Sequence, residues 1–358
     1  MLEPNNFLIL GGAGFVGSSI ALYLRQELPN CQIICLDNLK RRGSELNLLR
    51  FKHHKVDFIH GDIRSPSDLD PHVFYKIDTI IDCSAEPSVL AGFSSPQYVI
   101  QTNLLGTVNI LELARQIKSR LLFLSTSRVY PVATLKSINY QETETRFEIH
   151  DNQTIQGISP KGISETFPLL GYRTLYGSTK LASELLIEEY RNAYGLQAII
   201  NRCGVLTGPG QMGKVDQGVF VLWMAAHYFG KPLSYIGYGG TGKQVRDLLH
   251  IYDLLNLIKF QLNNFDYLDG KVLNVGGGID KSLSLLETTH LCEQITGKSI
   301  LIHPVSDERE GDVPIFITDS SQVCQLTGWT PKKSPMETLI DIYQWIHENE
   351  DQLIPILK

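Results

Sequence analysis

Tyr176 and Lys180 stand four positions apart in Leu175-Tyr176-Gly177-Ser178-Thr179-Lys180. On a helix that spacing puts both side chains on one face. An ammonium beside a phenol stabilises the phenolate and lowers its pKa toward working pH, so the tyrosine becomes a general acid or base. Exposed Tyr/Lys pairs are common on helices, so the pair alone decides little. A second element joins it: Ser125-Thr126-Ser127-Arg128-Val129-Tyr130 closes an apolar run. Hydroxyls at such a strand end can hydrogen-bond a substrate oxygen that faces the tyrosine.

A third group of residues suits a phosphate. Phe7-Leu8-Ile9-Leu10 runs directly into Gly11-x-x-Gly14-x-x-Gly17, and a helical pattern follows. Glycines there allow a tight turn, close approach of a pyrophosphate to the backbone, and close helix–strand packing, and the helix N-terminus favours an anion. Asp37 ends the next strand about 20 residues further on, where an acid binds the adenosine ribose hydroxyls. An acid there repels a 2′-phosphate, so NAD is expected rather than NADP. The basic run Lys40-Arg41-Arg42 reads as a solvated loop. Asp62, in Gly61-Asp62-Ile63-Arg64, either accepts from the adenine amino group or caps a turn.

The elements that must position these residues alternate. Strands are expected at Phe7–Leu10, Ile33–Leu36, Val56–His60, Thr79–Asp82, Leu121–Leu124 and Gln197–Asn201. Helices are expected near 15–28, 66–75 and 96–118, and from Leu175 to Tyr194. Buried strands alternating with helices imply an α/β fold, a Rossmann-type doubly wound parallel sheet. Asp37, Asp62 and Ser125 each follow a strand end, the edge where such sheets bind ligands. Residues 131–171 lack periodicity and read as an irregular loop or lid. Beyond 201 come helices near 216–229, 251–263, 284–296 and 335–348. The expected organisation is an NAD-binding domain over 1–200 and a smaller C-terminal substrate-binding lobe over 201–358. Segments at 196–201 and 271–275 are expected to return to the sheet.

Composition narrows the function. The chain has 358 residues, 32 Lys plus Arg against 38 Asp plus Glu, and a formal charge of −6. That balance argues against nucleic acid as a partner, which needs a basic face. Cysteines at 31, 35, 83, 203, 292 and 324 form no C-x-x-C pair, so no metal site is expected. No apolar stretch suits a membrane span, and a cytoplasmic setting is expected.

Gly11, Gly14, Gly17, Asp37, the Ser-Thr-Ser-x-Val-Tyr strand end and Tyr176-x-x-x-Lys180 together resemble the extended short-chain dehydrogenase/reductases, the nucleotide-sugar epimerases and dehydratases. The resemblance spans nearly the whole chain. It implies a bound NAD, Thr126 as the active hydroxyl, Tyr176 as the proton-transfer residue and Lys180 as its partner. It also implies a cofactor site that includes Phe15, Val16, Asn38, Ile63, Ala85 and Asn103. The related 4,6-dehydratases carry Asp-Glu directly after the threonine, an acid–base pair for removing water. Ser127 and Arg128 stand there instead, which favours an epimerase.

Asn201-Arg202-Cys203-Gly204, Val215-Asp216-Gln217-Gly218-Val219-Phe220, Arg246-Asp247 through His250, and Arg309-Glu310-Gly311-Asp312 resemble the CDP-paratose 2-epimerase (CDP-tyvelose epimerase) group. That likeness implies inversion at C2 of a CDP-hexose, with Arg246 and Arg309 gripping the diphosphate. The substrate set it implies comprises Glu86, Ser127, Arg128, Asn201, Cys203, Gln217, Gly218, Val219, Arg246, Arg309 and Asp312. A homodimer formed by the helices near 96–118 and at Tyr176 is implied as well. The alternatives are a UDP-hexose 4-epimerase or a related enzyme and, in another class, a catalytically silent NAD-binding regulatory protein.

Overall fold

The computed structural model describes residues 6–213 and 217–358. A seven-stranded sheet is built from β1 (Phe7–Leu10), β2 (Ile33–Asp37), β3 (Asp57–His60), β4 (Thr79–Asp82), β5 (Arg120–Thr126), β6 (Ala198–Cys203) and β7 (Val272–Val275), in the order β7-β6-β5-β4-β1-β2-β3. The β1–β2, β1–β4, β2–β3 and β4–β5 pairings are parallel. The order reverses at β1, as in a doubly wound fold. All four residues of β1 are fully buried, which is why this strand reads as an unbroken apolar run.

The chain forms two compact units. The first comprises residues up to Val129, Leu175–Arg202 and Leu255–Val272; the second comprises Tyr130–Thr174, Cys203–Leu254 and Leu273–Lys358. In the first, α1 (Phe15–Glu27), α2 (Gly106–Ile117) and α3 (Leu175–Tyr194) flank the sheet. Leu8, Leu10, Leu36, Ile80, Phe123, Ile110, Leu111, Ile187 and Ile200 share its core. The run expected as one helix near 96–118 is interrupted: Pro96–Ile100 leads through a single π-helical turn, Gln101–Leu105, into α2. A further helix, Leu46–His54, was not expected; it buries only Asn47 and Phe51, too narrow a stripe to register as a period. The expected helix near 66–75 is two short turns, Pro66–Leu69 and Pro71–Phe74, each started by its proline.

In the second unit, Val205–Thr207, Val245–His250, Ser282–Ser284 and Ile315–Phe316 form a mixed four-stranded sheet. Helices Val219–Phe229, Leu285–Thr296 and Pro335–Glu348 accompany it, and Ser284 and Ser334 start the last two with capping boxes. Asp216, at the expected start of the 216–229 helix, lies outside the described residues. Residues 131–171 are more ordered than the irregular lid expected of them. They hold a helix, Val132–Lys136, and two antiparallel hairpins, Tyr140–Glu142 with Phe147–Ile149 and Ile158–Ser159 with Gly162–Ile163. The Phe147 amide donates to the Lys243 carbonyl at 2.9 Å, the Lys243 ammonium donates to Glu142 at 2.8 Å, and the Ile163 amide donates to the Ile317 carbonyl at 2.8 Å. The strands are two or three residues long, too short for alternation to show in sequence.

The glycine turn is where packing is tightest. A Cβ on Gly17 would lie 2.3 Å from the Gly11 carbonyl oxygen, a backbone atom with little freedom to yield. Gly17→Ala is therefore expected to lower stability by about 1–3 kcal/mol, read as an earlier urea midpoint.

Candidate active site

The glycine turn presents an empty face of backbone. Gly11 has φ +66° and lies so close to the next loop that a Cβ would meet the Ser84 backbone at 2.9 Å. Gly14 is the N-cap of α1, no side chain bonds the helix start, and no acidic residue occupies its first turn. The first-turn amides thus keep their donors, with a favourable dipole for an anion. Phe15 and Val16, half-buried, form that first turn. Asp37 braces the turn from β2: its carboxylate accepts from the Ala13 amide at 3.1 Å and the Leu39 amide at 2.8 Å. Burial pushes its carboxyl up, and amides of Leu39, Ala13 and Gly14 oppose that. Three donors on a carboxylate with about four acceptor sites leave room for a ribose hydroxyl. Asn47, which sequence reasoning missed, supports the same turn by donating to the Ala13 carbonyl at 2.9 Å. No spacing rule marks such a residue.

Asp62 serves the turn after β3, the structural one of the two roles open to it. Its carboxylate is taken by the Arg64 guanidinium at 2.6 Å, the Arg64 amide at 2.9 Å and the Asn38 amide group at 2.9 Å. The Arg64 side chain holds it well below the usual carboxylate range. Asn38 is thereby tied to Asp62. Ile63 is buried against Gly106, where a Cβ would lie 2.6 Å from its Cδ1.

Asn103 fixes the loop that follows β4. Its Oδ1 accepts from the Glu86 amide at 2.8 Å, and its Nδ2 donates to the Glu86 carbonyl at 3.1 Å and to Thr179 Oγ1 at 3.2 Å. The π turn carries Asn103, and such turns recur at functional sites. Ala85 and Glu86 are thus held between β4 and α3, and the Glu86 carboxylate accepts from the Ser88 amide at 3.1 Å.

On α3, Tyr176 is 9% exposed and Lys180 only 2%. The Lys180 ammonium sits 3.8 Å from the centroid of the Phe123 ring on β5. Asp82, at the end of β4 and 1% exposed, attracts that ammonium. Burial pushes the Asp82 carboxyl up, against the pull of Lys180 and two Ser84 donors. One turn beyond Lys180, Glu184 accepts from Ser125 Oγ and from the Arg202 guanidinium, Nη2 at 2.7 Å and Nε at 3.1 Å. Arg202 and Glu184 are 6% and 5% exposed, a fully enclosed ion pair. Thr126, next to Ser125, accepts the Arg128 amide at Oγ1, 3.2 Å away, which leaves its own hydroxyl hydrogen to donate. Ser127 and Arg128, half-buried, open the short 3₁₀ turn after β5.

Asn201 is fully buried, and its amide exchanges hydrogen bonds with Gln261, both at 2.8 Å. Cys203 is buried at the end of β6. In the second unit, Gly218 (φ +69°) is the N-cap of Val219–Phe229, and Gln217 and Val219 flank it half-buried. Val215 and Asp216 lie outside the described residues. Arg246 Nη2 donates to Asp312 at 2.6 Å and to the Val313 carbonyl at 2.7 Å, so Asp312 is its counter-ion. Arg309 lines a cleft of about 430 Å³ with Val132, Lys136, Tyr172 and Glu308. Among the described residues, no three His, Cys, Asp or Glu side chains are grouped to hold a metal ion.

The family model for the NAD dependent epimerase/dehydratase family matches residues 7–276. The chain belongs to that family. It is therefore an NAD-dependent enzyme of a family that acts on nucleotide sugars, and the regulatory alternative falls away. The bare glycine turn, the uncapped start of α1 and the half-engaged Asp37 fit NAD. The chain is 31% identical to the CDP-paratose 2-epimerase of Salmonella typhi, an alignment covering 94% of this chain and 98% of that protein. It is 27% identical to the UDP-glucose 4-epimerase of Halalkalibacterium halodurans over 96% of each. The crystal structure of dTDP-glucose 4,6-dehydratase from Bacillus anthracis in complex with NAD superposes with a TM-score of 0.77 at 27% identity, covering 98% of this chain and 99% of that one.

Within this family fold, the Glu184–Arg202 pair ties the helix of Tyr176 to the sheet. Removing one partner of an enclosed ion pair strands the other. Glu184→Ala is expected to cost about 3–5 kcal/mol of stability, measured by chemical denaturation.

Proposed function

We propose that the protein inverts C2 of a CDP-hexose, converting CDP-paratose to CDP-tyvelose through a transient ketone. The observation that carries the epimerase reading is the residue pair after Thr126. Ser127 and Arg128 offer no carboxylate there, so the site lacks the acid–base pair that eliminating water requires. The end-to-end similarity to a CDP-paratose 2-epimerase supports the choice of C2 and of cytidine.

When bound, NAD supplies a reversible hydride acceptor for the sugar carbon. The residues of the chain do the rest. Tyr176 takes the hydroxyl proton as C2 is oxidised and returns it after the ketone has turned its other face. Lys180 keeps the phenol ready to ionise. Thr126 donates its hydroxyl hydrogen to the same sugar oxygen. Their burial excludes water, which preserves the ketone and strengthens each of these interactions. Arg246, held by Asp312, and Arg309 at its cleft grip the diphosphate, for which guanidinium forks are suited. Glu86, Ser127, Arg128, Asn201, Cys203, Gln217, Gly218 and Val219 complete the proposed substrate set.

The proposed assembly is a homodimer. Ile100 and Leu105 in the run near 96–118, Leu185 on the helix of Tyr176, and Leu90 and Phe93 on the short helix Val89–Ser94 are 37%, 50%, 58%, 45% and 48% exposed, a supply of apolar side chains for such an interface. The proposed setting is the cytoplasm; no disulfide joins any of the six cysteines, and no helix among the described residues is long and apolar enough to cross a membrane.

Incubation with CDP-paratose, followed by proton NMR, is expected to show inversion at C2 only. Inversion at C4 of a UDP-hexose, with no reaction of the CDP sugar, would establish the 4-epimerase reading in its place. Tyr176→Phe is expected to lose about 10²–10⁴-fold in turnover with folding intact. Leu105→Glu with Leu185→Glu is expected to halve the solution mass measured by light scattering; an unchanged mass contradicts this interface.

A further inference from the structure

We propose that Asp82 is the counter-charge of Lys180 and thereby sets the pH at which Tyr176 exchanges its proton. The proposal rests on the reading of Tyr176 as the proton-transfer residue. Asp82 on β4 pairs with Phe123 on β5, so their side chains leave the sheet on the same face. The Lys180 ammonium lies on the Phe123 ring, 3.8 Å from its centroid. The carboxylate and the ammonium therefore share one patch of the sheet face. Both are enclosed, at 1% and 2% exposure, where water screens neither. An enclosed ammonium needs a compensating charge close by.

The other charged groups around Lys180 leave Asp82 as that charge. Its own helix contributes Tyr176 and Glu184, and β6 contributes Arg202, which is bonded to Glu184 and cancels it. The loop after β4 contributes the Cys83 thiol and Glu86, whose carboxylate is turned to the Ser88 amide. The π turn before α2 carries no charged residue, and the 3₁₀ turn after β5, packed against α3, contributes the Arg128 guanidinium, a cation that cannot be the counter-charge. Asp82 holds its place through Ser84, whose amide donates to Oδ1 at 2.9 Å and whose hydroxyl donates to the same oxygen. An ionised Asp82 offsets part of the field that Lys180 exerts on the phenol. Tyr176 then holds its proton more tightly than a lone ammonium neighbour would allow, and can return it as readily as it takes it.

Asp82→Asn removes the charge and keeps an acceptor for Ser84. The tyrosinate absorbance of Tyr176 is isolated by subtracting the titration of the matching Tyr176→Phe protein. In Asp82→Asn it is expected to appear about one pH unit lower, and the acid limb of kcat is expected to move with it. Ser84→Ala, which keeps the charge but loosens its support, is expected to leave both in place. Carboxyl NMR on the unsubstituted Asp82 gives a check that no Asp82 variant need survive: its titration is expected to rise in Lys180→Met. An unmoved or raised Tyr176 titration in Asp82→Asn, an equal shift in Ser84→Ala, or an unmoved Asp82 resonance in Lys180→Met overturns the proposal. Full turnover by Tyr176→Phe would instead overturn the functional reading, and the absorbance shift would still report on Asp82.

Discussion

An ammonium enclosed against an aromatic ring is the constraint around which the first unit is arranged. Lys180 has exchanged bulk water for the face of Phe123 and the attraction of Asp82. An enclosed charge is stable only while its neighbours are fixed, and the neighbours are fixed in turn by α3. Positions 176, 180 and 184 succeed one another on one face of that helix. The last is locked to β5 and β6 through Ser125 and Arg202. A seam of small polar groups anchors the same helix to α2: Ser183 Oγ donates to the Asn103 carbonyl at 3.1 Å, and Thr107 Oγ1 donates to it at 2.7 Å. Two lateral attachments leave the phenol little freedom relative to Thr126.

The glycine turn follows the opposite logic. There, function depends on side chains being absent: Gly11 and Gly17 leave backbone surfaces in contact with other backbone, and Gly14 leaves the start of α1 uncapped. What substitutes for side chains is bracing from outside, by Asp37 and Asn47 on the Ala13 peptide. Asp37 thus has a structural task alongside the ribose contact expected of it. Asp62 has a structural task too, because Arg64 and Asn38 engage its carboxylate.

How much of this was legible in sequence depended on the kind of signal. Fully buried strands such as Phe7–Leu10 and long helices such as Leu175–Tyr194 announced themselves, because burial and period leave a composition behind. So did Tyr176 with Lys180, since two positions on one helix face fix a geometry locally. The helix Leu46–His54 did not, for it buries too little, and neither did the short hairpins within 131–171, whose pairing depends on partners such as Lys243 and Ile317 far along the chain. Residues that act by contact across the fold were invisible for the same reason. Asp82 and Glu184 stand out only once the register of β4 with β5 and the course of β6 are known. The bonds of the Asn103 and Asn201 amides to Glu86 and Gln261 are equally invisible in the motifs around them.

The reaction we propose is reversible oxidation of one sugar carbon, with Tyr176 moving the proton. A CDP-hexose carrying deuterium at C2, turned over in ordinary water, tests that account most directly. Retention of the label at C2 in the inverted sugar is the result it requires, because the hydride is held within the site and returned to its own carbon. Loss of the label to solvent at the rate of inversion would contradict it and point to removal of the C2 hydrogen as a proton.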